Sequence, residues 1–332
     1  MKSDEDIKKA LNQVTFFRIN CEKGEGIELT KQYKVHAYPT FILTNSEGKA
    51  IDAWAGFEKE DFIKTLNQAM SNLATIEEKI IRFQSNPNVK DAVSLGRYNS
   101  TTGNYKKAIE YYQQAQKLND ENLVDYAFEI FKNTAYGART DMFTFDEVLQ
   151  TAEAVLNFKN QDVWSTISVA RTLSRLGRQK KQTDQIEKYL KAGLDASADS
   201  QDEDIKRAHK LIMVDYSLYV TGDTSRAVAN KRETMPNGWE KDAGQLNSFA
   251  WWCFENKVNL EEAERLARQG VELAEPGKQK AMILDTLAEI CNARGNTQEA
   301  IRLIKLAITE APADEYYIKQ LERFQKTLNT SE

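Results

Sequence analysis

The sequence predicts an α+β protein that is mostly α: a small α/β segment over residues 1–72, followed by a helical-repeat solenoid over residues 73–332. Three observations carry this prediction. A pattern of small and large apolar residues around a glycine turn occurs near the C-terminus and again near residue 100. Pro87, Pro236, Pro276 and Pro312 all fall between apolar-periodic stretches, where helices must stop. Residues 14–69, by contrast, alternate short apolar runs with turn residues, the texture of strands and short helices.

The clearest repeat unit runs from Leu284 to Pro312. Small residues stand at Ala288, Ala300 and Ala307, Leu287 and Ile304 fill larger positions, Gly295 sits in the turn and Pro312 closes the unit. Two antiparallel helices approach closely only where a small side chain faces a large one, and the turn between them needs a residue that tolerates positive φ. The same grammar returns at Leu95, Gly96, Gly103, Ala108, Tyr112 and Ala115, with Gly103-Asn104-Tyr105 as the turn and Asn119-Asp120 as the exit. Weaker copies centre on Ala227, after Gly222-Asp223, and on Ala263, after a helix carrying Phe249, Ala250, Trp251, Trp252 and Phe254. Ala227, Ala263 and Ala300 stand 36 and 37 residues apart, near a period of about 34 with short insertions. Phe143–Phe158 and Ala170–Leu194 read as degenerate helix pairs, the latter through Leu173, Leu176, Gly177, Ile186, Leu190 and Gly193. The pattern resembles the tetratricopeptide repeat. That resemblance implies an α-solenoid whose stacked pairs share one core and bind a protein or peptide in a concave surface.

In the N-terminal quarter, Val14–Asn20, Thr40–Thr44 and Ala50–Trp54 read as strands, and Gly26–Tyr33 and Glu58–Ala69 as helices; Asn45-Ser46-Glu47-Gly48 is a hairpin turn. The run Val35-His36-Ala37-Tyr38-Pro39-Thr40-Phe41, followed by a strand, Gly48, a second strand, Gly56 and a terminal helix, resembles the C-terminal half of a thioredoxin fold. Bacterial thioredoxin-family proteins with a tetratricopeptide extension are similar in layout. The resemblance implies that Pro39 follows a cis bond and that Tyr38 and Pro39 contact an extended substrate. The family's first strand, first helix, central strand and Trp-Cys-x-x-Cys motif would precede residue 1, so the expectation is a partial domain from a truncated start. The strands built on Phe16, Phe17, Ile19, Phe41, Ile42 and Leu43 would then expose edges and apolar faces. Cys21 stands at a strand end, where family members carry Asp, and not at the helix N-terminus that lowers a thiol's pKa.

Composition narrows the chemistry. With 41% hydrophobic and 29% charged residues the chain is an ordinary globular protein. A net charge of -5, with Lys and Arg interspersed among acids, argues against nucleic acid as a partner. No apolar run reaches the roughly 18–20 residues of a membrane span, and the start Met-Lys-Ser-Asp-Glu-Asp lacks a signal-peptide core. As written, the chain is expected in the cytoplasm; a thioredoxin domain completed upstream would, by resemblance, place it in the periplasm. Three cysteines, Cys21, Cys253 and Cys291, and two histidines form no disulfide framework and no metal-ligand spacing. No Ser-His-Asp arrangement or phosphate loop occurs, so neither a catalytic set nor a cofactor is expected.

Trp251 and Trp252 are candidate groove aromatics, but adjacent helical residues point about 100° apart, so core packing is the expected role with one ring at the groove. His36 is expected exposed in a loop. Cys253 and Cys291 are expected as buried inert thiols. Asp202-Glu203-Asp204 and Glu261-Glu262 suit helix N-termini. Two functional readings follow. One is a non-catalytic protein- or peptide-binding scaffold with a degenerate thioredoxin-like segment. The other is a thiol-disulfide oxidoreductase whose Cys-x-x-Cys lies upstream of Met1. The partner's identity and the oligomeric state are not written in repeat residues.

Overall fold

The computed structural model describes residues 4–119, 126–158 and 162–331; Asp120, expected at a repeat exit, lies outside them. Seventeen α-helices and one two-stranded antiparallel sheet form among these residues. They make two compact units, Met1–Lys181 and Gln182–Glu332. The first contains α1 (Glu5–Leu11), α2 (Glu25–Gln32), β1 (Thr40–Thr44), β2 (Ala50–Ala55), α3 (Lys59–Met70), α4 (Ile76–Ser85), α5 (Val89–Thr101), α6 (Tyr105–Leu118), α7 (Ala127–Ala138), α8 (Phe145–Leu156) and α9 (Val163–Lys180). The second contains α10 (Glu187–Ser197), α11 (Glu203–Tyr216), α12 (Thr224–Glu233), α13 (Ala243–Asn256), α14 (Leu260–Leu273), α15 (Lys278–Ala293), α16 (Thr297–Glu310) and α17 (Glu315–Ser331).

The hairpin forms as its turn residues require, with Phe41 opposite Trp54 and Gly48 at φ +76° in the turn. Phe41 stacks on Trp54, Phe62 packs tilted against both, the ring centroids lie 4.8–6.0 Å apart, and Ile7, Ala10, Leu66 and Ala69 from α1 and α3 close that core. Helix α1 has no counterpart in the sequence reading: it is short, and it is fixed by an Asp4 cap whose carboxylate also meets Lys59 at 2.8 Å. The expected strand Val14–Asn20 does not form. No neighbouring strand offers it a ladder, so its backbone stays irregular, and Phe16, Phe17 and Ile19 are 46%, 75% and 49% exposed.

The hairpin is fastened to α4 and α5 by buried charge. Asp52, fully buried on β2, accepts from Arg97 Nε at 3.1 Å and Nη2 at 2.7 Å, and from the Ser94 hydroxyl at 2.9 Å. Lys79, fully buried on α4, donates to the Ile51 carbonyl at 2.6 Å and to Ser94 Oγ at 2.9 Å. A second buried carboxylate, Asp91, accepts from both Arg82 Nε and Nη2 at 2.6 Å and from Asn72 and Asn88. Burial pushes its pKa up, but these donors outweigh it and hold Asp91 at about 2.

The two strong repeat units form the helix pairs α5/α6 and α15/α16, turning at Gly103 (φ +77°) and Gly295 (φ +86°). Ala108, Ala115, Ala288, Ala300 and Ala307 are fully buried in the helical core. A Cβ on Gly96 would lie 3.0 Å from the Tyr112 ring, which is how closely α5 and α6 approach. α7/α8 and α13/α14 are further pairs, and α12, carrying Ala227, packs on α11. The segments expected as one pair from Ala170 to Leu194 instead belong to different units. α9 packs on α7 and α8, α10 packs on α11, and between them Lys181 takes a left-handed φ of +58° before the 3₁₀ turn Thr183–Gln185. The small-for-large rule makes a direct test. Ala300→Phe forces a ring between α15 and α16 and is expected to cost about 1–3 kcal/mol or more; an unchanged urea midpoint would contradict this packing.

Candidate functional site

Tyr38 is 63% exposed, and the Tyr38–Pro39 peptide bond is cis. The loop is pinned from both sides: the Gly56 amide donates to the Pro39 carbonyl at 2.9 Å and the Thr40 hydroxyl to the Ala37 carbonyl at 2.7 Å. His36 is exposed, with its ring against the first repeat turn, 3.2 Å from where a Cβ on Gly103 would stand. Cys21 is partly exposed and lies outside any helix.

In the second unit, Trp251 and Trp252 are half-buried. Trp252 packs on Phe249 at 6.0 Å with the Lys231 ammonium 5.8 Å over its ring, while Trp251 stacks on Phe254 at 5.1 Å. Cys253 and Cys291 are buried; burial pushes the first thiol up to about 12 and the second to about 11, so neither is a thiolate at neutral pH. Asp202 caps α11 through the Asp204 and Ile205 amides, and Glu261 and Glu262 lie in the first turn of α14. Among the described residues no group of three or more His, Cys, Asp or Glu is placed to hold a metal ion. No helix among them is long and apolar enough to cross a membrane.

The first unit holds a site that the sequence reading did not single out. A cavity of about 160 Å³ opens between α7 and α9, lined by Phe128, Phe131, Tyr136 and Arg139 on one side and Ser168, Thr172 and Arg175 on the other. On α9, Trp164, Ser168, Arg171, Arg175 and Arg178 recur every three or four residues and so share one face. Tyr136 and Trp164 are 40% and 44% exposed, and Arg139 lies 5.0 Å over the Tyr136 ring. Among the described residues no carboxylate pairs with Arg139, Arg171, Arg175 or Arg178; the nearby acids Glu129 and Asp141 are taken by Lys132 and Lys180. Although Arg175 is exposed overall, partial desolvation at the cleft and the Arg139 and Arg171 charges hold its pKa below the ordinary value. The signal was present in sequence as Arg171, Arg175 and Arg178 at helical spacing, but spacing alone does not show whether a cation has a partner. A larger cavity of about 330 Å³, lined by Gln116, Ala127, Ile130 and Phe158 among others, adjoins in sequence residues 120–125 and 159–161, outside the described set.

Comparison with known proteins gives one family match: residues 93–122, which include most of α5 and all of α6, match the tetratricopeptide repeat. No curated protein matches the chain significantly. Among solved structures, a tetratricopeptide repeat protein from Parabacteroides merdae aligns at 14% identity over 80% of this chain and 95% of its own, with a TM-score of 0.45.

Proposed function

We propose that the chain is a non-catalytic scaffold that binds a protein or peptide on its tetratricopeptide-type helices, with a thioredoxin-like segment of residues 1–72 docked on the first repeat. The single observation that best supports this is the α7–α9 face. There α7 and α9 bury Ala135, Val169 and Leu173 and leave Tyr136 and Trp164 exposed beside arginines that have no carboxylate partner among the described residues. A surface with exposed aromatics beside unpaired arginines has the composition of an interface centre. The test is a photo-crosslinking residue placed at Thr172 in the cleft or at Lys49 in the hairpin turn, in cells that make the protein. The expected result is a discrete adduct from position 172 and none from 49, with the partner identified by mass; the same diffuse adducts from both positions would overturn the reading.

A second reading, favoured by the exposed Tyr38–Pro39 loop, is a thiol-disulfide oxidoreductase in which that loop meets a substrate beside a Cys-x-x-Cys encoded upstream. Such exchange needs an accessible thiolate, and Cys253 and Cys291 do not supply one. Insulin reduction by this chain is therefore expected to stay at background. Turnover that disappears in Cys21→Ser would overturn the non-catalytic reading.

A further inference from the structure

We infer that the α7–α9 face takes an acidic peptide segment carrying one apolar or aromatic side chain. This deepens the scaffold reading and rests on it. The case starts from charge. The chain is net -5, yet Arg139, Arg171, Arg175 and Arg178 converge around one cleft with no carboxylate partner among the described residues. Like charges gathered without countercharge cost free energy, and a ligand that brings carboxylates removes the cost. Guanidinium forks match carboxylates in two-point geometry and are weakly hydrated, so they suit that exchange better than lysines would.

The cavity sets the rest of the ligand. At about 160 Å³ it is below the roughly 300–1,000 Å³ of a site for a drug-sized molecule, but it admits one side chain. Its floor and wall are Phe128, Phe131 and Tyr136, which favour an aromatic or branched aliphatic group. Ser168 and Thr172 offer hydroxyls along the α9 side for backbone groups of an extended chain. Trp164, one turn before Ser168 on the same face, extends the apolar contact along α9. Apolar anchor and surrounding cations together describe a peptide in which Asp or Glu flank one bulky residue. A nucleic acid would instead need phosphate contacts along an extended basic track, which a cleft between two helices does not provide.

The experiment is selection of random dodecapeptides displayed on phage against the full chain, followed by fluorescence anisotropy of the recovered peptides with the parent, with R171Q/R175Q and with R171E/R175E. The expected result is enrichment of peptides rich in Asp and Glu around one aromatic or aliphatic residue. Their affinity should fall about tenfold or more in the Gln variant and further in the Glu variant, with thermal melting unchanged because both arginines are exposed. Enriched peptides without acidic bias, or acidic peptides indifferent to both variants, would overturn this inference while leaving the scaffold reading intact. Failure to enrich any peptide would count against both. Equal, arginine-dependent binding of oligodeoxythymidine would show a general polyanion surface and would also overturn it.

Discussion

Asp52→Ala is expected to destabilise the first unit by about 3–5 kcal/mol, because it leaves the buried Lys79 and the half-buried Arg97 without their countercharge. Arg97 loses both of its bonds to the carboxylate, and Ser94, which accepts a hydrogen bond from Lys79 and donates one to Asp52, loses its acceptor. Lys79 keeps the Ile51 carbonyl, but that neutral group does not offset an ammonium whose pKa burial already lowers. Asp52→Asn should recover part of the loss by accepting from Ser94 or Arg97 without restoring charge. A urea series on the parent and both variants reads this out, and a midpoint for Asp52→Ala within error of the parent would show that the buried cluster does not hold the hairpin.

Asp285→Asn is expected to stabilise the second unit at pH 8 by about 2–4 kcal/mol and to have no effect near pH 4. Asp285 and Glu289 lie one turn apart on α15, facing Tyr316, Gln320 and Arg323 of α17. Arg323 bonds Glu289, whereas Asp285 receives only a 3.3 Å bond from the Tyr316 hydroxyl and its Oδ1 is buried without a partner. Burial and the Glu289 charge push the Asp285 carboxyl up to about 7. Below pH 3.8 both folded and unfolded chains hold the proton and no penalty exists. As the pH rises from there through 7, the unfolded chain ionises while the folded one resists, so stability is lost and the penalty is complete above 7. Asparagine removes that window. Unfolding of parent and variant at pH 4 and pH 8 checks it, and a difference that is constant with pH would refute the assignment.

Much of the repeat architecture was legible because its signal is local. Ala108 and Ala300 stand at fixed distances from their turn glycines, and both are fully buried as their spacing requires. The hairpin was legible for the same reason, through Asn45-Ser46-Glu47-Gly48 between two apolar runs. Val14–Asn20 misled because Phe16, Phe17 and Ile19 have strand chemistry, and a strand exists only where another lies beside it. The bond between Asp52 and Arg97 spans 45 residues and depends on how β2 meets α5, so no pattern in either segment announces it. The cleft fell between these cases. Its arginine stripe was readable on α9, but Tyr136 and Arg139 join it only through packing of α7 on α9.

The buried lysine on α4 also decides where the chain can be divided for study. A fragment beginning at residue 73, chosen to isolate the helical repeats, would keep Lys79 and Arg97 but discard the Ile51 carbonyl and the Asp52 carboxylate that receive them. It would open an apolar surface and strand two cations in it, so its poor solubility would say nothing about the repeats themselves. A division after Lys181 leaves every one of these groups with its partner.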